Sequence, residues 1–351
     1  MGAQKPTVMS LFGLDYPTLW FLVVGGLFAG YAILDGFDLG AGMLHLFLRK
    51  EQSRRIALNA IGPVWDGNEV WLVIGGGALF AGFPEAYATL FSAFYLPFML
   101  FLVSLIFRAV SIEFRSKEPM QWWRTGWDRA YTVSSTLMTV LLGAVVGNVV
   151  LGIPMDDQGN FTGSVLDLLD PYALIVALLT VAAFALHGGL YLSMKTEGAL
   201  YAKLERLIQS AAVAFVVLFV LVTMVTLVFM PHVTDVFRTY PLLFGLPVLV
   251  LLSVASTARF VARRAFRWAF FNSALNLALL MGLVAASLYP TLLRNRIPGG
   301  RSLDIYFSAA STESLETMLI IAAIGGPLVI GYTAFVFYTF RGKVQLDEHS
   351  Y

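Results

Sequence analysis

The sequence predicts an all-α polytopic membrane protein of about nine transmembrane helices, and three observations carry that expectation. Of its 351 residues 58% are hydrophobic and 13% charged, with a mean hydropathy of +0.76, a composition that cannot be wrapped into a water-facing globule. Apolar runs long enough to cross roughly 30 Å of hydrocarbon recur along the whole length. Lys and Arg collect in alternate loops, as they do on the cytoplasmic side of a membrane.

The runs fall near 19–48, 63–82, 87–112, 131–152, 172–194, 207–230, 241–259, 268–290 and 318–340. Along the first, Gly25, Gly26, Gly30, Gly36, Gly40 and Gly42 sit near small-xxx-small spacing. That spacing lets another helix approach closely; the alternative is a helix unwound to offer carbonyls to an ion. The second run is the least apolar, because Asp66, Asn68 and Glu69 occupy its first turns behind Pro63. The third ends in FRAVSIEFR (107–115) and the seventh in RFVARRAFR (259–267), four spans apart. This echo hints at two four-helix units plus a ninth helix, although arginines at inner boundaries also follow from topology alone. The longest loops, near 152–171 and 291–317, are too short for folded domains, so residues 1–351 read as a single integral membrane domain.

Basic residues orient the spans. Arg49, Lys50, Arg54 and Arg55 mark one inner loop, Arg115, Lys117, Arg124 and Arg129 the next, then Lys195, Lys203 and Arg206, then Arg259, Arg263, Arg264 and Arg267, and finally Arg341 with Lys343. The loop with Arg294, Arg296 and Arg301 is the exception. The N-terminus is therefore expected outside and the C-terminus in the cytoplasm, which requires an odd number of spans. MGAQKPTVMSLFGLDYP (1–17) lacks the pattern of a cleaved signal, so the first span is expected to be a permanent anchor. The absence of cysteine excludes disulfides, thiolate metal sites and iron–sulfur clusters within the chain. A net charge of +1 argues for no nucleic-acid partner; the basic loops are explained by topology.

Four acids inside apolar runs are the candidate functional residues: Asp35 and Asp38 in YAILDGFDLGAGM, Asp66 and Glu69 in GPVWDGNEVW. A charge in hydrocarbon is expensive, so such acids require a partner, a cavity or a proton. Each pair is three residues apart and is expected to share one face of its helix. With a rise of roughly 1.5 Å per residue, Asp66 is expected about a turn above the inner surface, Glu69 a turn deeper, Asp38 deeper still and Asp35 near the middle, a ladder able to relay protons. The competing reading has these acids capping helix ends or accepting hydrogen bonds from Trp65, Asn68 or Trp71, and for Asp66 the two stand level. Arg108 could neutralise an acid or snorkel to the interface, the default for such a residue.

Histidine limits the redox chemistry available. His349 lies in the tail, His232 in an outer loop and His45 near an inner helix end, leaving His187, before Gly188 and Gly189, within a span. A low-spin haem needs two strong axial ligands, so His187 reads as a packing residue.

DGFDLGAGML (35–44), PVWDGNEVW (63–71), GGALFAGFPEAY (76–87) and FRSK (114–117) resemble subunit II of the cytochrome bd quinol oxidases. The resemblance continues through GNVVLGIP (147–154), HGGLYLSMKTEG (187–198), ARFVARRAFRWAFFNSAL (258–275) and residues 314–344, covering nearly the whole chain. It implies a subunit of a bacterial inner-membrane terminal oxidase, built as two four-helix bundles plus a peripheral helix. That complex oxidises quinol and reduces dioxygen to water with protons from the cytoplasm. The resemblance places haem b, a second high-spin haem of b or d type and the quinol site in the partner, subunit I. Asp66 matches the position linked in the family to a proton path toward the haems, and subunit II borders an oxygen route. Glu69 stands where some relatives carry Gln. Some members hold a structural quinone in subunit II, and no motif here marks one; small accessory subunits occur in the family as well. Short outer loops and the SLETM stretch are closer to the cyanide-insensitive branch. A proton-coupled transporter and a purely structural scaffold are the readings to be set against this one.

Overall fold

The computed structural model describes residues 10, 11 and 13–346; the expectations for His349 and for the first nine residues lie outside them. Two short paired strands, β1 (Ser10–Leu11) and β2 (Leu14–Asp15), lead into α1 (Tyr16–His45). Asp15 starts that helix: its Oδ1 accepts from the Thr18 backbone N–H at 2.8 Å, while Pro17 presets the helical φ where no N–H is needed. The stretch carrying Arg54 and Arg55, expected as a loop, instead forms α2 (Glu51–Ile61), a short amphipathic helix that buries Ala57, Leu58, Ala60 and Ile61. Next comes α3 (Trp65–Gly82), stopped where Phe83 precedes Pro84 and leaves the helical region with φ −134° and ψ 64°.

The third apolar run is not one helix. It divides at Phe94 into α4 (Pro84–Ala93) and α5 (Tyr95–Phe114), because Pro97 has no N–H to offer the carbonyl of residue 93. The chain continues as α6 (Gln121–Leu151), ended by Gly152 at φ +92°, then α7 (Pro171–Lys195), capped by Asp170, and α8 (Gly198–Phe229). A short α9 (Asp235–Thr239) precedes α10 (Gly245–Ala262) and α11 (Phe266–Leu288), and a hairpin of β3 (Thr291–Leu293) with β4 (Leu303–Asp304) precedes α12 (Thr312–Thr339). Among the described residues eight helices are long and apolar enough to cross a membrane. The second expected span, α3, falls short of that measure because Asp66 and Glu69 occupy its first turns.

Packing divides the helices as the family resemblance implies. One unit comprises α1, α3, α4, α5 and α6, the other α7, α8, α10 and α11, and they meet where α7 lies against α1 and α6. Close approach there depends on two glycines: a Cβ on Gly40 would overlap the Phe184 carbonyl, and one on Gly188 would overlap the backbone of Gly40 and Ala41. Gly30, Gly36, Gly40 and Gly42 of α1 therefore serve packing, whereas a Cβ on Gly26 would meet nothing within 4 Å, and the helix is continuous for 30 residues rather than unwound. α12 stands apart, with Leu315 its one fully buried residue, and Ile320, Ile321, Ile324 and Leu328 face outward, as lipid-covered positions do. At the end of the bundle opposite the basic loops, Asn295 ties the two long loops together: it donates to the Met155 carbonyl at 2.8 Å and accepts from the Met155 N–H at 3.1 Å.

Candidate functional site: buried acids between α1, α3 and α5

Asp35 and Arg108 meet in the middle of the first unit with no solvent exposure. Arg108 donates from Nη2 to Asp35 Oδ1 at 2.5 Å and from Nη1 to Oδ2 at 3.0 Å, the parallel geometry that planar guanidinium and carboxylate groups favour. Arg108 therefore does not snorkel. Asp35 is already desolvated, and its bidentate bonds replace the water that the guanidinium would find at the interface.

One turn along α1, Asp38 Oδ2 accepts from Asn68 Nδ2 at 2.8 Å, while Asp38 Oδ1 is buried without a partner. Glu69, 8% exposed, also holds an unpartnered buried oxygen, Oε1. The buried group thus gathers three carboxylates against one guanidinium. Charge balance in such a place requires protons or polar ligands on the acids.

Asp66 departs from the expectation that it shares a face with Glu69. Its side chain is exposed, on the same stripe of α3 as Val70, Val73, Ile74, Gly77 and Phe80, whereas Glu69 turns inward. Residues three apart on a helix differ by about 60° in direction, enough to fall on opposite sides of a seam. No side-chain hydrogen bond caps α3 at its N-cap, Val64, while Asp66 is the acid of the helix's first turn, where a carboxylate favours the free backbone N–H groups. Of the other predicted supporting residues, Asn68 engages Asp38, Trp71 lies against Gly30, and Trp65 is half-buried.

A second cluster, at the basic end, was not foreseen. Asp128 accepts from His45 Nε2 at 2.5 Å, Arg115 Nε at 2.5 Å and Arg54 Nη1 at 2.8 Å, and Arg115 also bonds both oxygens of Glu51. Each residue alone resembles an ordinary loop charge, and only the fold brings four helix ends together.

His187 behaves as a packing residue. Its Nδ1 meets Ser273 Oγ at 2.6 Å, its Nε2 donates to the Ile33 carbonyl at 3.0 Å, and its ring stacks on Phe270 with centroids 4.7 Å apart. His187 has both nitrogens engaged, His45 is tied to Asp128 and His232 lies beside the Val150 carbonyl, so each histidine among the described residues already has a partner within the protein.

Comparison with known proteins bears on this arrangement. The family model "Cytochrome bd terminal oxidase subunit II" matches residues 16–340. Cytochrome bd-I ubiquinol oxidase subunit 2 of Escherichia coli K12 is 31% identical, with 95% of this chain and 97% of the relative covered. Cytochrome bd ubiquinol oxidase subunit 2 of Bacillus subtilis 168 is 32% identical over 94% and 97%. Among solved structures, a chain of the bd oxidase from Geobacillus thermodenitrificans superposes with a TM-score of 0.76 and 19% identity, covering 93% of this chain and 98% of that one, a likeness of fold.

Proposed function

The chain belongs to the family of cytochrome bd terminal oxidase subunit II, and from that premise we propose that it is the haem-free second subunit of a quinol-oxidising, dioxygen-reducing complex, supplying protons to its partner. Haem b, a further high-spin haem of b or d type and the quinol site lie in subunit I. The basic end of the bundle faces the cytoplasm, with the N-terminus outside.

Asp66 carries this reading. An exposed carboxylate on an otherwise apolar helix stripe is not left against lipid, so the stripe is where the haem-bearing partner docks and Asp66 is where protons cross. Behind it, Glu69, Asp38 and Asp35 form the internal supply. Carboxyl groups pass protons as general acids and bases with no electrons of their own; electrons travel from quinol to oxygen through the partner's haems.

Two measurements test this. Purification should yield a coloured complex containing a second hydrophobic subunit; a colourless chain, stable and competent alone, overturns the oxidase reading. In that complex, Asp66→Asn should lower quinol-driven oxygen consumption by about 100-fold, the lower range for removing a proton-transfer group, with assembly and haem spectrum unchanged. Lost assembly with normal turnover in the surviving complex makes Asp66 a docking residue instead.

A further inference from the structure

We infer that protons enter the buried acids along the seam between α1 and α6, through His45, Tyr131 and Ser135; this rests on the reading of those acids as a proton supply. Asp38, Gly42 and His45 lie at i, i+4 and i+7 on α1, one face of the helix, and Ser135, Tyr131 and Asp128 line the opposing face of α6. Gly42 leaves the space that Ser135 Oγ and the Tyr131 ring occupy, since a Cβ there would overlap the serine.

What distinguishes this seam is a row of polar atoms with no partner. His45 Nδ1, Tyr131 Oη, Ser135 Oγ and Asp38 Oδ1 are all buried, and none has a hydrogen bond. Buried polar groups in folded proteins are almost always paired, and consecutive exceptions on facing helices point to water held between them. His45 stands at the mouth. Its Nε2 carries the hydrogen given to Asp128, and its ring packs edge-on to Tyr131 at 5.2 Å. Beyond Asp128, Arg115 bridges to Glu51, whose side chain is 40% exposed, so the His45 end of the row is tied to a group that meets solution.

The step is proton exchange alone. Nε2 keeps the hydrogen it gives to Asp128, so the proton is carried on Nδ1 alone: Nδ1 takes it from water at the mouth of the seam and returns it to the next water inward, hydroxyls and water hand it on, and Asp38 receives it; only N–H and O–H bonds break and form. His45, Tyr131 and Ser135 carry protons to the site and touch neither quinol nor oxygen.

The test uses the intact two-subunit complex and two variants. His45→Gln keeps a donor for Asp128 but cannot be protonated; the double variant Tyr131→Phe with Ser135→Ala removes both hydroxyls and keeps the ring contact. Each should lower oxygen consumption at least about tenfold and enlarge the solvent deuterium isotope effect, while haem spectrum and thermal stability stay as in the parent. Slower turnover with an unchanged isotope effect assigns the seam a structural role and overturns the inference. Should His45→Gln fail to assemble, the hydroxyl variant decides. Parent-like turnover in both variants beside a slow Asp66→Asn puts the entrance elsewhere and leaves the wider reading standing, whereas parent-like turnover in all three overturns both.

Discussion

The two helical units solve the same problem with different chemistry. In the second, the polar groups near the middle meet neutral partners: His187 with Ser273, Asn272 Nδ2 with Ser253 O at 2.7 Å and Thr257 Oγ1 at 2.6 Å, Asn276 Nδ2 with Thr257 at 2.7 Å, although Asn276 Oδ1 has none. In the first, the middle holds Asp35, Asp38, Glu69 and Arg108, with unpartnered oxygens on two of the acids. Neutral hydrogen bonds are enough to join helices, so charge confined to one unit reflects a task beyond packing.

The largest effect should come from breaking that charge. Asp35→Leu leaves the buried Arg108 guanidinium without its bidentate partner, and should cost about 3–5 kcal/mol, read as loss of folded complex or a sharp fall in thermal stability. Adding Arg108→Met should restore most of that loss, because an apolar pair of similar volume needs no desolvation. If the double variant is no more stable than the single one, the pair is not the electrostatic unit its geometry describes.

In the second unit the expected loss is smaller and purely structural. Asn272→Ala should cost about 1–3 kcal/mol by leaving buried acceptors unmatched, with turnover per folded complex unchanged. Slowed oxygen consumption in that variant would erase the contrast between the units.

Smallest in stability and most informative in function is Glu69→Gln. With no partner recorded for Glu69 Oε1, the amide should leave thermal stability within about 0.5 kcal/mol of the parent, the range of substitutions that break no structural feature. Removing one titratable group should nonetheless lower oxygen consumption, by less than Asp66→Asn does. Equal rates for the parent and Glu69→Gln would make Glu69 a bystander to the supply.

Much of the fold was legible in the residues. Hydropathy located the apolar runs, and Asp15, Asp170 and Gly152 mark helix ends by chemistry that is local to each. The break at Phe94 was hidden because an apolar run looks continuous to hydropathy even where Pro97 removes a backbone donor. Helix α2 was hidden because its arginines read as a loop while its apolar face is only four residues. For the site, the residue types were legible and their partners were not. Arg108 finds Asp35 across 73 positions, and Arg54 finds Asp128 across 74.

Membrane class, the run of spans and the presence of costly acids in hydrocarbon were determined by sequence alone, since each depends on composition within a window one helix long. Which acid is paired, which is bare and which turns outward was decided by tertiary structure. Asp66 and Glu69 are three residues apart, and only the packing of α3 against α1 places one inside and the other on the surface. The physical reason is range: transfer into lipid acts residue by residue, whereas pairing and burial depend on neighbours that the chain supplies from far away.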